Sequence, residues 1–275
     1  MFKDRLAARD TGWKLWYAAI AFVALGVGLM SSFVLGAIPM GAAGPFVVPV
    51  LSTVLVGVLP ILALIALARR RPTGFELGLD MSNWLRQTIV AAVAVVGFGL
   101  FINALAAIFP SLEGASGGDS GFGVGFWMDI ALILGGIIIA PIFEELAYRV
   151  ALLRPLHDGL RQWNSGIRAG LRILISVGGA AAMFTLPHST PGEATFIPYV
   201  LIAVFFCLIY LLSGSLVCLI MAHAFQSAYA WGALALAAPD RGAPIGVLLG
   251  LCVAGPVIVL AGIWLMSRMF AAADR

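Results

Sequence analysis

The stretch Ala140-Pro-Ile-Phe-Glu-Glu-Leu-Ala-Tyr-Arg149 decides how the whole chain is interpreted. It places Glu144, Glu145 and Arg149 close together on one helix, in a run of residues that otherwise suits the interior of a lipid bilayer. A charged side chain near the centre of a membrane helix costs roughly 2.5–3.5 kcal/mol, so such residues usually have a function. The first question is therefore which other polar residues meet this cluster.

The composition predicts a membrane protein. Of the 275 residues, 62% are hydrophobic and only 11% are charged, and the mean hydropathy is +1.06. A soluble domain of this size would carry about 25% charged residues. We therefore predict an all-α, polytopic protein with about eight transmembrane helices. The pI near 9.0 is attributed to basic cytoplasmic segments, and no nucleic-acid partner is expected.

Runs of about 20 apolar residues give eight candidate spans. They cover approximately 13–38, 46–68, 85–109, 127–154, 171–188, 196–212, 215–237 and 243–270. No soluble domain fits between them. Together with the motifs described below, they divide the chain into three N-terminal spans (1–126), a core that carries the motifs (127–237) and a C-terminal span (238–275).

The distribution of basic residues predicts the orientation. With eight spans and a cytoplasmic N-terminus, every Lys and Arg except Arg241 falls on an inner segment or an adjoining span end. We expect an integral protein of the bacterial inner (plasma) membrane with both termini cytoplasmic. The basic segment from His157 to Arg172 is expected along the cytoplasmic surface near anionic headgroups. The glycine-rich segment 110–126 is interpreted as an external turn.

Helix geometry separates the two glutamates. Glu145 and Arg149 are four residues apart, on one face, in the order that favours an ion pair. Glu144 lies about 100° around the helix and does not share the arginine in the same way. Glu144 is therefore expected to face a cavity, where its carboxylate would suit general-base chemistry. The alternative is that all three residues simply mark the charged cytoplasmic end of the span.

Two of the three histidines also lie in apolar runs, on different predicted helices. His188 follows Phe184 by four residues, in the sequence MFTLPHS. His223 lies in LIMAHAFQSA, with Gln226 and Ser227 one turn further on. A lone histidine in a membrane helix often only makes a hydrogen bond to a neighbouring helix. Because two occur in a chain that also buries charged residues, we expect them to converge with the glutamates.

These residues resemble the CAAX-protease and bacteriocin-processing (CPBP, or Abi) family of intramembrane proteases. That family carries Glu-Glu-x-x-x-Arg, Phe-x-x-x-His and His-x-x-x-Asn/Asp motifs on separate helices. The first motif is complete here as Glu144, Glu145 and Arg149, and the second as Phe184 and His188. The third contains His223, but Ser227 stands at the Asn/Asp position. The resemblance covers approximately residues 127–237.

The resemblance implies an intramembrane endopeptidase. Glu144 would activate a water molecule with help from His188, while His223 and a neighbouring donor would stabilise the oxyanion. Ser227 can donate but is shorter than asparagine, and Gln226 is an alternative donor. No metal or cofactor is assigned. If zinc is used, Glu144, His188 and His223 form a His₂Glu ligand set.

The expected partners are the lipid bilayer and a membrane-associated peptide or protein, either lipidated and CAAX-like or a leader peptide. Two other functions stay open at this point. The chain could be a weakly active or inactive relative that acts as a membrane scaffold or immunity factor, as the serine at position 227 suggests. Buried Glu, Arg and His residues also form proton relays in transporters, although no pair of interrupted helices recurs in the two halves of the chain.

Overall fold

The computed structural model of the protein describes residues 12–39, 44–68, 73–109, 126–163, 168–189, 195–237 and 244–273. Every regular element in these ranges is helical, which confirms the all-α class. The α-helical segments are α1 (Leu15–Gly36), α2 (Gly44–Ala68), α3 (Gly74–Leu77), α4 (Trp84–Ile108), α5 (Phe126–Leu134), α6 (Ala140–Glu145), α7 (Arg154–Trp163), α8 (Ala169–Thr185), α9 (Phe196–Ser213), α10 (Leu216–Ala237) and α11 (Ile245–Ala273).

In the described ranges, 7 helices are long and apolar enough to cross a membrane, which confirms the polytopic membrane class. They correspond to seven of the eight predicted spans. The remaining one, predicted at 171–188, is α8, whose 17 residues end at Thr185. A full span needs about 20 residues. The helix ends here because Pro187 has no N–H to donate to a preceding turn.

The longest of these helices, Met128–Trp163, is the composite span: α5, α6 and α7 joined by π-helical stretches at Gly135–Ile139 and Leu146–Leu153. π-Helical turns are rare and often occur at functional sites. Pro141 accounts for the first stretch, because its ring clashes with the carbonyl four residues earlier and a wider turn ahead of it relieves the clash. The Glu144–Glu145 pair thus lies on a short α-helical segment between two π-helical stretches.

The composite span corrects one prediction. Its helix does not end near residue 154 but continues to Trp163, and His157 and Asp158 are completely buried. The expectation that the segment starting at His157 lies along the membrane surface is therefore wrong for these residues. The glycine at 159 allows the backbone of Leu15 in α1 to pack directly against this turn. Residues 164–167 and the glycine-rich segment 110–125 lie outside the described ranges.

A buried polar cluster occupies the end of the composite span. Arg154 Nε lies 3.6 Å from Asp158 Oδ2, and the Asp158 Oδ1 atom lies 3.0 Å from Nδ1 of His157. Arg154 also donates to the backbone carbonyl of Glu76, in α3, at 3.1 Å. Because Arg154 and Asp158 form an ion pair, a segment that looks basic and surface-bound in sequence can be buried.

The bundle is centred on α10. In its most apolar stretch, 50% is buried inside the protein, compared with 11% for α4. The helices α1 and α2 pack against the composite span, where Leu25 and Val56 form one buried cluster with Tyr148 and Phe184. Gly57 of α2 lies directly over the backbone of Phe143. The polar residues of the composite span and α10 are thereby enclosed by helices from both halves of the chain.

Candidate active site

Glu144 lies near the middle of the composite span and faces two imidazole rings. Its Oε1 atom is 3.8 Å from Nε2 of His188, and its Oε2 atom is 4.0 Å from Nε2 of His223. The three side chains are 14%, 26% and 8% exposed, so the gap between them is enclosed but reachable. Both distances are too long for a direct hydrogen bond but within the range of an ion pair. The structure thus brings together the carboxylate and the two histidines from three helices.

Glu145 points away from this gap and is completely buried. Its Oε2 atom lies 3.2 Å from Nε of Arg149, although the N–H direction is not aligned well enough for a hydrogen bond. The ion pair expected from their spacing is therefore present. The other oxygen, Oε1, accepts a 2.7 Å hydrogen bond from Nδ1 of His223. Glu145 thus connects the arginine of its own helix to the histidine of α10.

Arg149 is completely buried and is held by groups from other helices. It donates to the backbone carbonyl of Ala203 in α9 at 3.2 Å. Its guanidinium carbon lies 4.7 Å from the ring centroid of Phe184 and 5.4 Å from that of Phe206. A cation at this distance from an aromatic ring is stabilised by the ring quadrupole. The arginine therefore links the composite span to α8 and α9.

Aromatic rings orient both histidines. The ring of His188 stacks on Phe184 with centroids 4.6 Å apart, and His223 stacks on Phe206 at the same distance. Nδ1 of His188 also donates to the backbone carbonyl of Phe184 at 2.6 Å. The predicted supporting residue Phe184 is thus at the site. Phe184 and His188 are four residues apart, and this spacing brings their two rings together in the stack.

The hydrogen bonds assign protons to the imidazole nitrogens. A carbonyl and an ionised carboxylate only accept, so Nδ1 carries hydrogen in both His188 and His223. A neutral His188 therefore presents the lone pair of Nε2 towards Glu144. His223 can donate through Nε2 only when both of its ring nitrogens carry hydrogen.

The two tentative donors are not drawn into this network. Ser227 and Gln226 lie on α10 one turn beyond His223, and both are partly buried. Neither makes a hydrogen bond to Glu144, His188 or His223 among the described contacts, and Oε1 of Gln226 is buried without a hydrogen-bond partner in the described part of the chain. The side chain of Ser227 therefore does not supply a hydrogen-bond donor to the gap between Glu144, His188 and His223.

The zinc alternative is only partly supported. Both histidines turn Nε2 towards Glu144 and engage Nδ1 with an acceptor, which is how zinc ligands are commonly oriented. However, each imidazole approaches a different carboxylate oxygen, and no group of three or more His, Cys, Asp or Glu residues in the described ranges is placed to hold a metal ion. We derive no step through a metal.

Sequence analysis missed the contribution of α9. Tyr199, Ala203 and Phe206 lie on one face of this helix, at spacings of four and three residues, and all three contact a residue of the site. Because α9 is apolar on all sides, its sequence gives no signal that separates this face from the lipid-facing one. The contacts depend on tertiary packing alone.

Comparison with known families supports the resemblance inferred from the motifs. Residues 126–229 match the family model described as type II CAAX prenyl endopeptidase Rce1-like. The matched region contains the composite span and α8 to most of α10, which carry all of the candidate site residues. Comparisons with curated proteins and with solved structures give no significant match. The match confirms the predicted family resemblance and supports a CAAX-type endopeptidase.

Proposed function

Because residues 126–229 match a model of CAAX-type endopeptidases, we propose that this protein hydrolyses a peptide bond of a membrane-associated substrate with a glutamate-activated water. The observation that carries this proposal is the gap between Glu144, His188 and His223. A carboxylate and two imidazoles from three helices face one another there, with closest N–O distances of 3.8 and 4.0 Å.

In this mechanism Glu144 and Nε2 of His188 hold a water molecule between them. As the water oxygen attacks the scissile carbonyl carbon, its proton passes to the Glu144 carboxylate, and the carbonyl oxygen becomes an oxyanion. Glu144 then returns the proton to the amide nitrogen as the C–N bond breaks. General-base catalysis of this kind contributes about 10²–10⁴-fold to the rate.

The oxyanion needs hydrogen-bond donors. His223 is placed to supply one through Nε2, because its ring is held by Glu145 on one side and Phe206 on the other. Arg149 compensates the charge of Glu145 and keeps the carboxylate in place. A preorganised donor in a dry site is worth about 3–4 kcal/mol in the transition state.

The proposal can be tested with the purified protein in liposomes. The substrates are fluorogenic peptides of two kinds, prenylated at a C-terminal CAAX cysteine or unlipidated with a leader-like sequence. The variants are Glu144→Gln, which keeps the shape but removes the base, and His188→Ala. A matched control is Asp80→Asn, which makes the same chemical change at an exposed carboxylate outside the site.

The expected result is cleavage by the wild type and by the Asp80→Asn variant, with turnover reduced at least about 100-fold in the two site variants. Cleavage by Glu144→Gln at the wild-type rate would overturn the proposed role of this residue. A wild type that cleaves neither substrate class, while Ser227→Asn does, would favour a relative with a weakened active site.

A further inference from the structure

One face of α9 covers both imidazole rings. Phe206 stacks on His223, and two turns earlier on the same face Tyr199 packs against His188, with ring centroids 5.2 Å apart. Between them, the carbonyl of Ala203 receives Arg149. Each of the three positions therefore contacts a different member of the site. Of the three side chains, only that of tyrosine can donate a hydrogen bond.

The Tyr199 hydroxyl is available at the site. The side chain is partly exposed, and its hydroxyl makes no hydrogen bond to any group in the described ranges, while it interacts electrostatically with Glu144. Tyr210, on the same helix, behaves differently, because its hydroxyl donates to the carbonyl of Leu77 at 3.1 Å and has a structural role. The hydroxyl of Tyr199 can therefore donate to a bound substrate without breaking a hydrogen bond seen in the described ranges.

The site also lacks a donor that its chemistry requires. His223 offers one N–H to the oxyanion, but the side chain of Ser227, at the position expected to supply a second donor, makes no described contact with the three residues around the gap. A tyrosine hydroxyl extends much further from its backbone than a serine hydroxyl. The ring of Tyr199 already lies beside one imidazole of the site, with its centroid 5.2 Å from that of His188.

We propose that the hydroxyl of Tyr199 donates a hydrogen bond to the carbonyl oxygen of the scissile bond and serves as the second oxyanion donor. This inference rests on the proposed endopeptidase function. Tyr199 is then a catalytic residue, and its contact with His188 places the ring beside the water-activating pair. No covalent bond to the tyrosine is formed, and its proton stays on the hydroxyl throughout.

The test compares Tyr199→Phe, which removes only the hydroxyl and keeps the ring that packs on His188, with Tyr199→Leu, which removes both. The control is Tyr229→Phe, the same deletion at a tyrosine that is 57% exposed on α10. Cleavage of the fluorogenic peptides is measured for each as kcat and KM, with thermal unfolding in detergent as the check of folding. The double variant Tyr199→Phe/Ser227→Asn is included.

The expected result is a loss of about 10²–10³-fold in kcat for Tyr199→Phe, with unchanged KM and thermal stability. The double variant should recover at least about tenfold, since Ser227→Asn supplies an amide donor. Wild-type kcat in Tyr199→Phe, with loss only in Tyr199→Leu, would reduce Tyr199 to a packing role and overturn the inference. So would a loss that the second substitution does not recover.

The two proposals fail in different ways. Cleavage by the wild type and by Tyr199→Phe, together with none by Glu144→Gln, removes the role of Tyr199 and leaves the endopeptidase function intact. If neither the wild type nor the Ser227→Asn variant cleaves any peptide, both proposals are removed.

Discussion

The composite span contains two buried arginine–carboxylate pairs of the same design, and they allow structural and catalytic roles to be separated. Arg149 pairs with Glu145 and Arg154 with Asp158, in opposite sequence order, both four residues apart and both completely buried. Only the first pair continues to a histidine of the candidate site, His223. Replacing either arginine by methionine keeps much of its volume and removes its charge.

Both substitutions should destabilise the protein by a similar amount. Removing one partner of a buried pair leaves an uncompensated charge and costs about 3–5 kcal/mol, which is roughly two to three and a half powers of ten in the folded-to-unfolded ratio. Arg149→Met also removes the hydrogen bond to Ala203 and the contacts with two aromatic rings. Arg154→Met also removes the hydrogen bond to the Glu76 carbonyl.

Activity should differ between the two variants. Without Arg149, the carboxylate of Glu145 is balanced only by His223, so the imidazole is drawn towards Glu145 and no longer held for the substrate. We expect kcat per folded molecule to fall at least about tenfold in Arg149→Met and to stay within about twofold of wild type in Arg154→Met. Folded fraction is measured by size exclusion and thermal unfolding in detergent, and turnover with the fluorogenic peptides. Equal turnover per folded molecule in both variants would refute the catalytic part of this reasoning.

Three further predictions concern packing, the metal and the second histidine. A Cβ added at Gly57 would lie 2.5 Å from the carbonyl oxygen of Phe143. Gly57→Ala should therefore destabilise the protein by about 1–3 kcal/mol and lower the turnover, because Phe143 precedes Glu144. The control is Gly26→Ala, where nothing lies within 4 Å of the added atom, and it should leave the thermal stability unchanged or raise it. Cleavage should persist in 1,10-phenanthroline, and its loss together with stoichiometric zinc in elemental analysis would move the mechanism to a metal. His223→Gln should lower kcat about 10²–10³-fold with little change in KM, because it removes a charged donor to the oxyanion; a change confined to KM would contradict that role.

Much of the fold was predictable because it depends on local composition. Apolar runs of sufficient length predict membrane helices, and seven of the eight predicted spans are confirmed as apolar helices of spanning length in the described ranges. Two features were predicted wrongly, the length of α8 and the exposure of the segment that follows residue 154. Both have local causes that the hydrophobic pattern does not show. Pro187 shortens α8, and the polar groups of Arg154, His157 and Asp158 pair with one another, so that a surface-like sequence is buried. The orientation and the proposed domain boundaries stay predictions.

The candidate site was predictable for a different reason. Charged and imidazole groups are so costly in an apolar helix that each is conspicuous, and Glu144, His188 and His223 could be grouped on that basis before any contact was known. The groups around them are ordinary in sequence. Nothing distinguishes Tyr199 or Phe206 from other aromatic residues of a hydrophobic helix, because what matters is which side of α9 faces the imidazoles.

The N-terminal helices pack against the candidate site, although the division of the chain by motifs places them outside the core. All of the motif residues lie within 126–229, yet Leu25 of α1 and Val56 of α2 share a buried cluster with Phe184 and Tyr148, and Gly57 packs on the turn that carries Glu144. These contacts pack α1 and α2 against the part of the composite span that carries Glu144. A carboxylate must be kept from both bulk water and free movement if it is to act as a positioned base. Under the proposed mechanism, the first two helices therefore help to position Glu144, although no motif identifies them.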